Sequence, residues 1–97
     1  MTLKDQLIEF LGRHERALRD LGVAELLLFG SVVRGEERPD SDIDVLVQFD
    51  APPSFDAYMD LKFLLEDGVG RSVDLVTIDG LRDEIRAEVM GEALRVA

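Results

Sequence analysis

The sequence predicts an α/β fold, and three observations lead to it. Apolar runs at 23–29, 43–49 and 72–78 are too brief for buried helices, so each is predicted to be a strand. Around them, apolar residues recur every three or four positions, which is typical of helices that pack on a sheet. The chain has 97 residues, 46% of them apolar, which suits a single domain over 1–97 with one core. We therefore expect the order α-β-α-β-α-β-α on a small mixed sheet of three strands, with a fourth strand left open.

The first half of the chain begins with an amphipathic helix that Gly22 should end. The strand at 23–29 leads into one or two helical turns at 31–35, and Pro39 breaks the charged loop that follows. The strand at 43–49 ends before a Pro-Pro pair. The apolar stripe of the first helix comprises Leu3, Leu7, Phe10, Leu11, His14, Leu18 and Leu21.

The second half of the chain supplies two more helices. Ser54 is a good N-cap for a helix that we expect to close near Gly68. After the strand at 72–78, Asp79 is predicted to cap the last helix. The inward face of that helix is predicted to be Leu81, Ile85, Val89 and Leu94.

Composition excludes several classes of function. The chain has no cysteine, which excludes disulfides, thiolate metal sites and cysteine catalysis. Its 11 basic and 21 acidic residues give a net charge of −10, which repels phosphate backbones and disfavours direct nucleic-acid binding. No apolar run approaches the ~20 residues that span a bilayer, and the polar start lacks a signal core. We expect a soluble cytoplasmic protein with no membrane partner.

The Gly30-Ser31 turn after the first strand has the features of a phosphate site. Glycine lets the backbone approach a phosphate closely because it has no Cβ. Ser31 offers a hydroxyl and an amide at the start of a short helix, where free N–H groups favour anions. Arg34, one turn later, can donate charge-assisted hydrogen bonds to phosphate, although a surface salt bridge explains it equally well.

Three aspartates near strand ends are candidate metal ligands. Asp42 and Asp44 lie about 7 Å apart on one face of the second strand, because side chains alternate. Asp74 is an acid inside an apolar strand, which is costly unless it is paired, metal-bound or turned to the surface. If the second and third strands are parallel neighbours and the first is antiparallel to the second, all three acids meet Gly30 at one end of the sheet. Such a site suits Mg²⁺-dependent nucleotidyl transfer, with Asp74 helping to bind the ion that activates the nucleophile or taking its proton.

Each of these signals is weak when taken alone. Aspartate fills 12 of 97 positions, so roughly 1.5 Asp-X-Asp pairs are expected by chance. The run that begins at Asp40 also resembles a calcium loop, but Val45 and Ala51 stand where that loop needs Gly and Glu. His14 lies on the helix stripe, where an edge-of-core role is favoured over that of a base. The conjunction of turn, acid pair and third acid is what favours nucleotide transfer.

The sequence resembles the minimal nucleotidyltransferases of the polymerase-β superfamily. Their signature is Gly-Ser, two residues, Arg-Gly, a short loop and Ser-Asp-Ile-Asp. The matching stretches are 30–35 and 41–44, and Asp74 falls where the family has its third carboxylate. Val33 departs from the alanine of many members, which bears on the packing of the short helix. The motif covers about a fifth of the chain, and the element order fits the rest.

The resemblance implies a polymerase-β-type fold, Mg²⁺ as cofactor and ATP as nucleotide donor. It also implies a HEPN-domain ribonuclease toxin as partner, whose tyrosine receives AMP so that the chain acts as its antitoxin. Both a homo-oligomer and a hetero-oligomer with the toxin stay open. The implied nucleotide-binding residues are Gly30, Ser31, Arg34 and Ser41, and the implied metal-binding and catalytic residues are Asp42, Asp44 and Asp74.

Two other functions compete with AMP transfer to a toxin. The chain can instead neutralise the toxin by complex formation alone, through its acidic surface. It can also transfer a nucleotide to a small hydroxylated acceptor such as an aminoglycoside. The last function ranks lowest, because related enzymes of that type use a second helical domain to hold the acceptor.

Overall fold

The structure, a computed structural model, describes residues 2–35, 38 and 42–97. Within these ranges, helices flank one sheet of four strands, whose order is β3-β2-β1-β4. The strands are β1 (Val23–Phe29), β2 (Ile43–Phe49), β3 (Val73–Thr77) and β4 (Leu94–Arg95). The helices are α1 (Leu3–Arg13), α2 (Glu15–Asp20), α3 (Ser31–Arg34), α4 (Phe55–Val69) and α5 (Asp83–Glu92), with a 3₁₀ turn at Ile78–Gly80.

The sheet is mixed, as the sequence predicts. β1 is antiparallel to both β2 and β4, whereas β2 and β3 are parallel. The connection between the two parallel strands contains α4, which is the crossover that parallel strands require. As a consequence, the end of β1 and the starts of β2 and β3 lie at one end of the sheet.

The main core lies between the sheet and helices α1 and α4. Alternate residues of β2 (Ile43, Val45 and Val47) are completely buried on this face, because strand side chains point to opposite faces in turn. They pack with the inward stripes of the two helices, including Leu7 and Leu61. Full burial of each such side chain contributes about 1.5–3 kcal/mol, which fixes the register of β2 and hence the face on which Asp44 lies.

A smaller core lies on the other face of the sheet. Leu27, Leu46 and Ile78 are buried there, and Val89 and Met90 of α5 pack against them. This cluster holds α5 over the same face as Asp44. None of the helices in the described ranges is long and apolar enough to cross a membrane.

The first helix differs from its prediction because it breaks at His14. α1 ends at Arg13, and His14 has φ −120° and ψ 24°, so it serves as the junction with α2. Its Nδ1 lies 2.8 Å from the Phe10 carbonyl oxygen and its ring stacks on Phe10, with centroids 4.2 Å apart. His14 is therefore a structural residue at the core edge.

The helix α4 starts and ends close to where the sequence predicts, at Phe55 and Val69. The Ser54 hydroxyl accepts a hydrogen bond from the Ala57 N–H at 3.1 Å, which confirms the N-cap. The prediction that the helix closes near Gly68 is confirmed, and the terminating residue is Gly70, whose φ of 68° is positive. Gly68 lies inside the helix against Phe10, whose ring occupies the space of a Cβ at that position.

The last part of the chain departs furthest from prediction. Asp79 does not cap the final helix, because it lies in the 3₁₀ turn, and α5 begins at Asp83 without a side-chain cap. Ile85, predicted to face inward, is 44% exposed. Leu94 lies in β4, whose pairing with β1 supplies the fourth strand that the sequence left open. Two-residue strands carry too short a pattern to be read from sequence.

Candidate functional site

Asp44 and Asp74 occupy paired positions on neighbouring strands. In the parallel register of β2 and β3, Asp44 is the Cα partner of Asp74. Ile43 and Val45 are buried in the main core, so Asp44 points to the opposite face, where it is partly buried and Asp74 is exposed. Asp42, also exposed, precedes Asp44 by two residues. The three acids therefore lie at one end of the sheet, on β2, β3 and the segment just before β2.

The ionisation of Asp44 shows how strongly this end of the sheet concentrates negative charge. Burial raises the pKa of Asp44 above its ordinary value of 3.8, and the carboxylates of Asp74 and Asp42 raise it further. The guanidinium of Arg34 has the opposite effect on this pKa. A positive charge bound between the acids would relieve both the repulsion and the cost of burial.

Gly30 lies directly against the Asp44 carboxylate. Phe29, the last residue of β1, pairs with Asp44 in the antiparallel register, so the chain turns beside that carboxylate. Gly30 has φ 76°, and a Cβ at this position would lie 2.7 Å from Oδ2 of Asp44. The turn needs glycine both for its left-handed backbone and for the close approach to the acid.

The helix α3 begins immediately after this turn and carries Arg34 toward the acids. Arg34 Nη1 lies 3.6 Å from Oε2 of Glu92 on α5, and these side chains are 50% and 60% exposed. An ion pair this exposed contributes little stability, so Arg34 can exchange it for another anion. The salt bridge and the position near Asp44 are both present, which makes the two explanations of Arg34 compatible.

The predicted site residues therefore divide into two groups. The structure brings together Gly30, Arg34, Asp42, Asp44 and Asp74. Ser41 lies outside the described residues, and so does the side chain of Ser31, whose backbone begins α3.

The paired carboxylates of Asp44 and Asp74 suit a cation that takes its remaining ligands from another molecule. No three His, Cys, Asp or Glu side chains in the described ranges converge closely enough to hold a metal ion by themselves. Mg²⁺ is usually held through one or two carboxylates together with substrate phosphates. The Asp44–Asp74 pair provides such a donor set.

One cavity of the described residues lies away from the three acids. It has a volume of about 370 Å³ and lies at the opposite ends of β2 and β3, where its lining includes Gln48, Asp50, Pro52, Thr77 and Asp79. This cavity is therefore separate from the paired carboxylates, beside which lie the Gly30 turn and α3.

Some contacts around the site could not be predicted from the sequence. Glu92 reaches Arg34 across more than fifty residues of chain, and no local pattern signals that contact. Tyr58, Lys62 and Glu66 on α4 bond the backbone of β3 on either side of Asp74. The Lys62–Glu66 pair, four residues apart on a helix, was a readable signal of an ion pair but not of its contact with a strand.

Comparison with known proteins gives consistent matches over most of the chain. A profile of the nucleotidyltransferase domain family matches residues 11–96. The protein adenylyltransferase MntA of Thermococcus cleftensis is 38% identical over 97 residues, which cover 99% of this chain and 98% of that protein.

Solved structures share the fold. A candidate minimal nucleotidyltransferase has a TM-score of 0.80 at 34% identity, covering 97% of this chain and 95% of its own. A chain from a toxin–antitoxin complex with AMP-PNP has a TM-score of 0.70 at 23% identity, covering 97% of this chain and 72% of its own. The second match concerns the fold alone.

Proposed function

This chain belongs to the nucleotidyltransferase domain family and to its minimal nucleotidyltransferases, and from that premise we propose that it transfers AMP from ATP to a protein hydroxyl. The acceptor oxygen would bond the α-phosphorus as the bond to the β-phosphate breaks, so that pyrophosphate leaves and the hydroxyl proton is lost. The acceptor that we propose is a tyrosine of a cognate HEPN ribonuclease toxin, so that the chain acts as its antitoxin. The observation that carries the proposal is the pairing of Asp44 with Asp74 beside the Gly30 turn.

Each residue of this cluster has a proposed task. Gly30 and the backbone of α3 bind the triphosphate, because an N–H group without a nearby Cβ can approach phosphate oxygens closely. Ser31 and Ser41 add hydroxyl donors to the same phosphates. Arg34 leaves its exposed partner Glu92 to neutralise phosphate charge.

The carboxylates are proposed to hold Mg²⁺ and to orient the acceptor. When bound, the ion would supply charge neutralisation of the phosphates and would lower the pKa of the attacking hydroxyl. Asp42 and Asp44 would be its ligands on the strand nearest the turn. Asp74, on the neighbouring strand, would complete the ligand set or accept the proton of the acceptor hydroxyl.

A protein acceptor is supported by sequence similarity rather than by a pocket. The relative in Thermococcus cleftensis is described as a protein adenylyltransferase and is similar over almost the whole of both chains. The HEPN toxin as partner rests on the family resemblance, and the toxin–antitoxin complex with AMP-PNP is the precedent for this fold in such an assembly.

AMP transfer can be tested directly with purified proteins. A candidate cognate HEPN protein is incubated with this chain, Mg²⁺ and ATP labelled on the α-phosphate, and the label on the HEPN protein is measured. We expect labelled toxin with the wild type, none with Asp44→Asn, and wild-type labelling with Asp50→Asn, which removes an exposed carboxylate at the other end of β2. Equal labelling by wild type and Asp44→Asn would rule out this site.

Complex formation without catalysis is the second candidate, and one observation favours it. On α4, Phe55 is 77% and Phe63 is 54% exposed, next to the exposed acids Asp56 and Asp60. Large exposed apolar side chains with acidic neighbours suit a partner that is apolar and basic. If toxin neutralisation survives Asp44→Asn but is lost with Phe63→Ser, binding alone is sufficient; the reverse result supports catalysis.

A further inference from the structure

The edge of the sheet nearest the acids is closed by side chains rather than by another strand. β3 has a neighbour on one side only in the described sheet, and edge strands expose unpaired N–H and C=O groups. The Ser72 carbonyl accepts a bond from the Ile43 N–H, so the groups of Ser72 point toward β2. Because peptide groups alternate along a strand, those of Val73 and Leu75 point outward.

Three side chains of α4 bond these outward groups. Glu66 Oε2 accepts a hydrogen bond from the Val73 N–H at 2.9 Å, and Lys62 Nζ donates to the Val73 carbonyl at 2.9 Å. The Tyr58 hydroxyl donates a hydrogen bond to the Leu75 carbonyl oxygen. We call Tyr58, Lys62 and Glu66 the α4 ladder.

The ladder has a simple geometric origin. Its members are four residues apart, so they lie on one ridge of the helix and rise about 6 Å per step. Two strand residues span about 6.6 Å, so Tyr58 and Lys62 match the successive outward carbonyls of Leu75 and Val73. Glu66 reaches the N–H group of the same Val73. Lys62 also donates to Glu66 Oε2 at 2.8 Å, and these two side chains are only 28% and 24% exposed.

The residue enclosed by these bonds is Asp74. The ladder holds the peptide groups of Val73 and Leu75, which flank Asp74 on both sides, while the register with β2 sets Asp44 beside it. Val73 and Leu75 are buried in the main core, so the side chain of Asp74 points to the other face. A twist of this short edge strand would swing the Asp74 carboxylate away from that of Asp44.

We infer that Tyr58, Lys62 and Glu66 are positioning residues, which hold the edge strand so that the carboxylate of Asp74 faces Asp44. The inference deepens the proposed function and rests on it wherever transfer is the readout. A displacement of about 1 Å in a catalytic group can cost up to ~100-fold in rate. We expect Tyr58→Phe and Lys62→Met each to lower kcat about tenfold and to leave KM for ATP within about twofold, because the triphosphate is held by the turn and α3.

A matched control variant for Lys62→Met comes from α1. Glu9 and Arg13 are also an i,i+4 pair, 4.0 Å apart, but are 54% and 68% exposed. Arg13→Met removes the same charge as Lys62→Met from a helix that does not hold β3. We expect Arg13→Met to leave kcat and KM unchanged.

A second readout separates positioning from loss of fold and does not depend on transfer. Amide hydrogen exchange, followed by NMR, should be at least tenfold faster at Asp74 in the two ladder variants and unchanged at Leu26 and Leu28 of β1. A merely structural role would speed exchange at all of these amides together. Unchanged exchange at Asp74, or equal loss of kcat with Arg13→Met, overturns the inference. If the wild type itself shows no transfer, the proposed function fails and the exchange rates still decide the positioning role.

Discussion

A Cβ added to Gly30 would lie 2.7 Å from Oδ2 of Asp44, so the turn after β1 and the acid of β2 occupy adjoining space. The contact follows from the antiparallel register, which pairs Phe29 with Asp44. The Asp44 carboxylate is expected to move, because a side-chain end can swing more easily than a turn held between β1 and α3. Crowding at Gly30 should therefore displace the acid more than the backbone.

Gly30→Ala should reduce AMP transfer far more than it reduces stability. A residue with a Cβ at φ 76° costs about 1–2 kcal/mol of stability, and the carboxylate must move by several tenths of an ångström. We expect transfer to fall at least tenfold in an assay run well below Tm. Gly22→Ala is the control, since Gly22 has φ 81° with nothing within 4 Å of its Cβ position. The expectation fails if the two variants lose the same activity.

Asp74→Asn should raise the stability of the metal-free protein while abolishing transfer. The pKa of Asp44 is raised by burial and then by Asp74, so the folded state binds this proton more tightly than the unfolded chain does. Stability from this group is therefore present below pH 3.8 and is lost as pH rises through the raised pKa of Asp44. Removing the facing charge should recover about 0.5 kcal/mol at pH 7, or roughly 2–4 °C in Tm.

The control for this gain is Asp50→Asn, which changes net charge by the same amount at the far end of β2. Tm should be measured by calorimetry in EDTA at pH 7 and at pH 3. We expect the difference between Asp74→Asn and wild type to vanish at pH 3, where Asp44 is protonated in both. A gain of the same size with Asp50→Asn would show that net charge, and not the paired acids, is responsible.

Much of this site could be predicted because its residues lie in strongly patterned segments. The apolar runs around Asp44 and Asp74 allow one strand face for each acid, so alternation alone indicates where the carboxylates point. To predict that the Gly30 turn and the three acids meet at one end of the sheet, it was enough to choose the relative directions of β1, β2 and β3. What the pattern could not provide is the register, and the pairing of Asp44 with Asp74 depends on it.

The elements that were mispredicted are those that depend on distant contacts. The end of α4 near Gly68 was predicted, but the glycine that terminates the helix is Gly70, while Gly68 lies inside the helix against Phe10 of α1. Asp79 was given the role of a cap, but it lies in a 3₁₀ turn that brings Ile78 onto the smaller core. Local sequence cannot distinguish a helix-ending glycine from one that a neighbouring ring requires.

Gly68→Ala should destabilise the protein although alanine is the better helix former. The alanine Cβ would lie 2.5 Å from Cδ1 of Phe10, whose ring stacks on His14 and has little room to move. Overpacking costs about 1–3 kcal/mol, which exceeds the ~1 kcal/mol that alanine gains in a helix. We expect a net loss of up to about 2 kcal/mol in urea unfolding. Gly12→Ala in α1, with no atom within 4 Å, should instead stabilise, and a loss there would undermine the argument.

Glu66→Gln should make stability less dependent on pH. The hydrogen bond from Lys62 lowers the pKa of Glu66 below its ordinary value of 4.5, and the bond from the Val73 N–H lowers it further. A lowered pKa gives stability that is present above the unfolded value and is lost as pH falls through the folded one. The Tm difference between wild type and Glu66→Gln should therefore close as pH drops below 4.5. In a Lys62→Met background the difference at pH 7 should already be smaller, and an undiminished difference would contradict this cause.

Arg34→Gln should weaken the binding of ATP and shift the pH dependence of transfer. A charge-assisted bond to phosphate contributes about 1.5–3 kcal/mol, so we expect KM for ATP to rise at least tenfold. Because Arg34 lowers the pKa of Asp44, its removal should raise that pKa and move the acid limb of the rate profile to higher pH. Glu92→Gln removes the carboxylate that lies 3.6 Å from Arg34. This variant should leave KM for ATP equal or lower, because Arg34 no longer has to break that ion pair to bind phosphate. Arg13→Gln removes the same charge from α1 and should change neither quantity. An Arg34→Gln variant with wild-type KM would assign this arginine to the surface ion pair alone.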